Sequence, residues 1–367
     1  MKKFVSLLLV SLLVLGMLAG CSTTPAATPA PAAPVASATP AAPATPAAPV
    51  VELPKIVVTL PGMLGDKSYN DSCMSGIDRA VADFGVDVKV LEASSPADFE
   101  PNIIAAATGG YDLVIILSGQ QKESALKVIP EYPEQKFATI DFVVPDAPNV
   151  YSSMFAVNEG SFLAGAAAAL FTQKTDIDGV NDQKVVGWIS GNETPLINDF
   201  YVGFKQGVEY IDPETVILQA FAGTFTDPLK GKELALTQYE QGADIIMNVA
   251  SSTGIGILEA AAEQKKFAIG VDLDQDNLQP GYILTSMMKK VDIAAYLFIE
   301  CMVTDTYQPG ARLYFDLSTE AIGLTDFSVF KSVWGDKFPQ DILDQIEELA
   351  AKVTSGEIKV EEFPGVR

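Results

Sequence analysis

The sequence predicts an α/β protein of two doubly wound lobes, and three observations carry that expectation. First, short runs that are apolar throughout recur, among them 55–60 (KIVVTL), 113–117 (LVIIL) and 245–249. A strand that is apolar without alternation is buried on both faces, the condition of a parallel sheet covered by helices. Second, these runs alternate with segments whose apolar and small residues return at helical spacing. Third, the alternation stops near residue 140 and starts again. Two runs of similar length fit two lobes better than one very wide sheet. No repeat with a period of about 20 to 50 residues is present, which argues against a solenoid.

In the first run the strand at 55–60 is followed by a glycine-containing loop at 61–67 and a helix over 71–84. A strand at 86–91, a helix at 96–108, the strand at 113–117, a helix at 122–129 and a strand at 137–140 complete it. The second run opens with a helix at 159–172, then strand 184–189, helix 195–210, strand 216–220 and helix 228–241. Strand 245–249, helix 256–265, strand 267–271 and a further strand at 282–285 follow, with Lys289 beginning the next helix.

The start of the chain reads as an export signal. Lys2 and Lys3 supply positive charge, 4–18 is apolar, and small residues lead to Cys21. The apolar run falls short of the roughly 20 residues that a membrane span needs. Leu18-Ala19-Gly20-Cys21 matches the lipobox of bacterial lipoproteins, so 1–20 is expected to be a leader and Cys21 to carry lipid. From Ser22 to Val51 the chain is almost wholly Ala, Pro, Thr and Val, a composition without the large apolar residues of a core. Residues 21–52 are therefore expected to be a tether holding a folded body near a membrane, extended by up to ~3.1 Å per residue.

Charge and composition narrow the function. The chain has 367 residues and a formal net charge of −23, and loss of Lys2 and Lys3 would make the remainder more acidic. So acidic a protein has no electrostatic footprint for nucleic acid. There is no histidine, which removes Ser-His-Asp and Cys-His catalysis and every histidine-containing metal site. Cys73 and Cys301 have no motif spacing and read as free buried thiols. A binding protein without cofactor or metal is expected, in preference to an enzyme.

Ligands of doubly wound sheets sit beyond the carboxyl ends of the strands. The residues expected there are Asp66, Tyr69 and Asn70 after the first strand, Asp141 after the fourth, and Asn192 and Thr194 before the helix at 195. Ser251, Ser252, Thr253 and Gly254 follow strand 245–249, and Asp272 follows strand 267–271. Such groups hydrogen-bond a polyhydroxylated ligand. Tyr69 and Phe200 lie at loop-to-helix junctions, where core packing and ring stacking are both open. Lys289 on its own reads as a solvated charge. Asp272-Leu-Asp274-Gln-Asp276 opens like a calcium loop but has Asn277 and Ile283 where glycine and an acid are required. Gly254-Ile-Gly256 lacks the third glycine of a dinucleotide fingerprint, having Glu259 there.

Six phrases in order resemble the basic membrane protein family, the purine nucleoside receptor A-like substrate-binding lipoproteins of ABC importers. They are Gly65-Asp-Lys-Ser-Tyr-Asn-Asp71, Ser161-Phe-Leu-Ala-Gly165, Phe225-Thr-Asp-Pro-Leu-Lys-Gly-Lys-Glu233, Gln241-Gly-Ala-Asp244, Gly270-Val-Asp-Leu-Asp-Gln275 and Ser286-Met-Met-Lys289. The resemblance implies the type I periplasmic-binding-protein fold, with two doubly wound lobes, three crossover segments and a ligand cleft between them. It places the crossings near 155–158, 286 and 308. The first lobe is then 53–157 plus 287–307, and the second 158–286 plus 308–367. It further implies that a nucleoside base stacks between Tyr69 and Phe200, with Asp141 and Asn70 on its edge. Asp272 and Lys289 would hold the ribose, helped by groups near Ser252 and Gly254. Tyr69 stands where this family has Phe, and Ser251-Ser252 where it has Gly-Gly, which leaves the choice of base open. The expected partners are the small ligand, an ABC permease and the membrane through Cys21, with the receptor a monomer. A ligand-sensing lipoprotein, a binder of another polar solute such as a sugar, and a carboxylate-based hydrolase are the competing readings.

Overall fold

A computed structural model of the chain describes residues 52–366. The expected leader, Cys21 and all of the tether except Glu52 lie outside the described residues. The body opens with β1 (Lys55–Leu60), α1 (Tyr69–Phe84), β2 (Asp87–Glu92), α2 (Phe99–Thr108), β3 (Leu113–Leu117), α3 (Lys122–Val128), β4 (Phe137–Ile140) and β5 (Val150–Phe155). It continues with α4 (Val157–Phe171), β6 (Val185–Ser190), α5 (Pro195–Ile211), β7 (Val216–Phe221), α6 (Pro228–Glu240), β8 (Ala243–Val249), α7 (Ser252–Gln264), β9 (Phe267–Asp272) and β10 (Ile283–Lys289). Last come α8 (Val291–Val303), β11 (Arg312–Phe315), β12 (Ile322–Leu324), α9 (Ser328–Trp334) and α10 (Gln340–Thr354).

Two six-stranded sheets result, in the orders β11-β5-β4-β3-β1-β2 and β12-β10-β9-β8-β6-β7. In the first, Thr59 of β1 sits beside Leu91 of β2 and Ile116 of β3, all parallel. Only β12 runs antiparallel, against the end of β10. The strands inside each sheet, such as β3 and β8, are buried along their whole length, while the edge strands β2 and β7 are partly exposed. That contrast is what separates uniformly apolar runs from mixed ones in a parallel sheet.

The helices are fixed by local chemistry and close packing. The Thr194 side-chain oxygen accepts the N–H of Ile197 at 3.3 Å, and Pro195 occupies the first turn of α5, a residue pair suited to a helix start. α5 lies almost against the backbone of α4. A methyl group at Gly165, Gly203 or Gly207 would stand 2.0, 2.1 or 1.9 Å from a carbonyl oxygen of the facing helix. On the first lobe Gly76 of α1 gives the same close approach to the Asp292 carbonyl of α8, and Arg79 pairs with Asp292 at 3.1 Å.

Sheet membership moves two crossings. β10 stays paired with β9 as far as Met288, beside Asp272, so the chain leaves the second sheet after Lys289 and not near Ser286. Lys289 thus ends a strand instead of beginning a helix. β11 pairs with β5, so 312–315 belongs to the first lobe and the third crossing follows Phe315, not Gln308. Cys73 in α1 and Cys301 in α8 are free and buried.

Candidate ligand-binding site

The carboxyl ends of both sheets face a cavity of about 540 Å³ between the lobes, within the size range of small-molecule sites. From the first lobe it is lined by Tyr69, Asn70, Ser118 and Asp141, and from the second by Phe200, Ser251, Ser252 and Asp272, with Lys289 at the crossing. Of the residues expected at the strand ends or in the site, nine line it: Tyr69, Asn70, Asp141, Asn192, Phe200, Ser251, Ser252, Asp272 and Lys289.

Four lining residues share a backbone feature. Ser118, Asp141, Ser251 and Asp272 follow or end β3, β4, β8 and β9, and have φ of 84°, 72°, 51° and 66°. Non-glycine residues avoid this region, and strain of this kind gathers where a side chain must be aimed at a ligand. The strand-end rule points to all four from sequence alone, although Ser118 is not among the residues expected above. Ser94, Ser95, Thr224, Phe225 and Thr226, also in the lining, are likewise absent from the expected set. They belong to the loops after the edge strands β2 and β7; Phe225 and Thr226 open one of the six phrases quoted above, but a shared phrase does not by itself say which of its side chains meets a ligand.

Lys289 is the pivot of the site. It is 2% exposed, and its ammonium donates to Asp141 Oδ2 on the opposite lobe. The same nitrogen stands 4.8 Å from the Tyr69 ring centre and 5.8 Å from that of Phe200, so rings from the two lobes gather round one point. The family resemblance assigns Lys289 to the ribose with Asp272; the structure pairs it with Asp141. The Tyr69 hydroxyl donates to the same Asp141 oxygen. Burial, and after it the Asp141 carboxylate, push the Tyr69 phenol well above its usual range. Burial also raises Asp272 to about 6, against the opposing pull of Lys289 and of the hydrogen bond from Ser68.

Two residues expected to hold the ligand serve other purposes, and Thr194 and Thr253 also lie outside the lining. Asp66 does not line the cavity. Its carboxylate accepts the N–H groups of Ser68, Asn70 and Asp71 at 3.0, 2.9 and 3.1 Å, holding the start of α1, and the Ser251 hydroxyl at 2.7 Å. Gly254 also lies outside the lining; a methyl group there would stand 2.0 Å from Asn248 Oδ1, so its place is a packing requirement in the first turn of α7. Among the described residues no group of three or more His, Cys, Asp or Glu side chains is arranged to hold a metal ion.

Comparison with known proteins agrees with this geometry. Residues 53–362 match the family described as ABC transporter substrate-binding protein PnrA-like. The chain is 30% identical over 329 residues to the CD4+ T-cell-stimulating antigen of Listeria monocytogenes, covering 84% of this chain and 88% of that one. It is 29% identical over 314 residues to basic membrane protein A2 of Borrelia garinii, with 84% and 88% covered. Among solved structures, an ABC transporter system solute-binding protein of Aeropyrum pernix superposes with a TM-score of 0.79 at 29% identity, covering 86% of this chain and 94% of that one. The family and the superposed structure are those of substrate-binding proteins and not enzymes. The chain belongs to the PnrA-like family of ABC transporter substrate-binding proteins.

Proposed function

We propose that this protein is a lipid-anchored, extracytoplasmic receptor that binds a nucleoside, with a purine preferred, between its lobes and delivers it to an ABC permease. The observation that carries the reading is the meeting of Tyr69 and Phe200, from opposite lobes, around buried Asp141, Asp272 and Lys289. Two aromatic faces suit a flat base, whose stacking on one ring contributes roughly 1–3 kcal/mol. Carboxylates suit the hydroxyls of a ribose, because an ionised carboxyl group accepts hydrogen bonds and donates none. Net negative charge among the lining ionisable groups disfavours a phosphate on the ligand.

Membership of a substrate-binding family supports delivery to a permease, and the Leu18–Cys21 motif supports the anchor. Calorimetric titration with purine and pyrimidine nucleosides, simple sugars and short peptides tests the ligand. Binding of sugars or peptides, with none of nucleosides, would refute the base-stacking reading. Replacing Cys21 by Ser should release the protein from the membrane fraction; continued membrane retention would refute the anchor.

A further inference from the structure

We propose that the Tyr69 hydroxyl, acting through Asp141, sets which base the cleft prefers, and that the preferred nucleoside presents at least two N–H donors on one edge of its base. This inference rests on the nucleoside reading above and deepens it.

The argument is a count of donors and acceptors. Asp141 Oδ2 accepts from both Tyr69 and Lys289, which fills the roughly two lone-pair positions of a carboxylate oxygen. Its other oxygen, Oδ1, is buried without a partner. Beside Tyr69 in α1, Asn70 donates its side-chain N–H to the Met63 carbonyl at 3.1 Å. That bond fixes the orientation of the amide and leaves Asn70 Oδ1 buried and unpartnered as well. Both residues line the cavity and both are 5% exposed. The base-side wall therefore offers two open acceptors, while the Tyr69 hydroxyl and one N–H each of Asn70 and Lys289 are already engaged.

A buried acceptor left empty is unfavourable, so a ligand edge that supplies two N–H groups is selected over one that supplies a single N–H or none. Amino-bearing bases have such edges. A base with only carbonyl groups and one ring N–H leaves an acceptor empty. Burial keeps the Tyr69 phenol protonated, so it remains a donor to Asp141. With Phe at this position Asp141 Oδ2 would regain a lone pair, and the carboxylate could meet two adjacent N–H groups with both oxygens.

Calorimetric titration of the full chain with two matched pairs tests this: guanosine against inosine, and adenosine against purine riboside. The members of each pair differ only by an amino group. In at least one pair the amino-bearing member should bind about tenfold tighter or more. The Tyr69→Phe variant keeps the ring, so it should still bind all four, with the amino preference raised about fivefold or more. Asn70→Leu, which removes one acceptor, should bring the preference towards unity. Ratios within twofold in both pairs, or one common factor for all four ligands in Tyr69→Phe, would overturn the proposal while leaving the nucleoside reading intact. Absence of binding by all four would overturn both.

Discussion

Gln275, buried in the second lobe, donates its side-chain amide to the main-chain carbonyl of Lys67 in the first lobe at 2.8 Å. The residues on either side of Lys67 make two more bonds across the cleft: Asp66 accepts from Ser251, and Ser68 donates to Asp272. Three consecutive residues thus hold three separate points of the second lobe, and none of these bonds involves the ligand. A ligand stabilises the closed form by its contacts there, and contacts between the lobes lower the free energy that it must supply.

Gln275→Glu tests this role. The replacement keeps an acceptor for the Val271 N–H at 3.0 Å and the Asn248 amide at 3.2 Å, and sets a carboxyl oxygen against the Lys67 carbonyl in place of the donor, at a site 1% exposed. Loss of one hydrogen bond of about 0.5–1.5 kcal/mol corresponds to an affinity loss of up to about tenfold, and the buried carboxylate adds to it. The ligand-free protein should also become more open in small-angle scattering, and its melting temperature should fall. Wild-type affinity in this variant would remove Gln275 from closure.

The raised pKa of Asp272 gives binding a pH dependence. Because the folded value, about 6, lies above the usual 3.8, the stability it contributes is complete below 3.8 and is lost as pH rises through about 6. Ligand hydroxyls donate to the ionised form, so affinity should increase from pH 5 to pH 7, with release of up to one proton near pH 6. Titration in two buffers of different ionisation enthalpy measures that proton, and Asp272→Asn should flatten the profile. Asp276 is also raised to about 6 by burial, but it accepts from Ser286 and Thr325 and does not line the cavity. Stability should therefore still fall with rising pH in Asp272→Asn.

The α4–α5 contact predicts a stability effect remote from the ligand. At Gly207 a methyl group would meet the Phe162 carbonyl at 1.9 Å, which requires the helices to separate. Overpacking of this kind destabilises by about 1–3 kcal/mol. Gly207→Ala should show that loss in chemical unfolding, whereas Gly323→Ala, where nothing lies within 4 Å, should be close to neutral.

What is legible in the sequence and what is hidden have separable physical causes. β1, β3 and β4 are legible because central parallel strands must be apolar on both faces. β5 is not, since Ser152 and Ser153 interrupt its apolar run. Both are buried, and Thr139 supplies the partners: its hydroxyl donates to Ser152 at 2.9 Å and its carbonyl accepts from Ser153 at 3.3 Å. β11 and β12 have only 4 and 3 residues, too few for a pattern. In the site, aspartates at strand ends announce themselves, but Asp66 looks the same while serving its own helix. Lys289 resembles a surface charge because its partner, Asp141, is 148 residues away in sequence.

That ion pair carries the last prediction. The side chains of Lys289 and Asp141 are 2% and 1% exposed, so neither charge is hydrated. Removing one partner from such a pair leaves an uncompensated buried charge and destabilises by about 3–5 kcal/mol, whereas removing both charges is far milder. Lys289→Met should therefore lower stability in urea unfolding by that amount, and Lys289→Met combined with Asp141→Asn should recover much of it. Asp141 Oδ2 would still accept from Tyr69 in the single variant, which makes the lost charge, and not the loss of every donor, the cause. Ligand binding should stay weak in the double variant even where stability returns, because the introduced amide would offer one oxygen and an N–H in place of a carboxylate. Equal stability of Lys289→Met and the parent would mean that the two groups are not paired in solution.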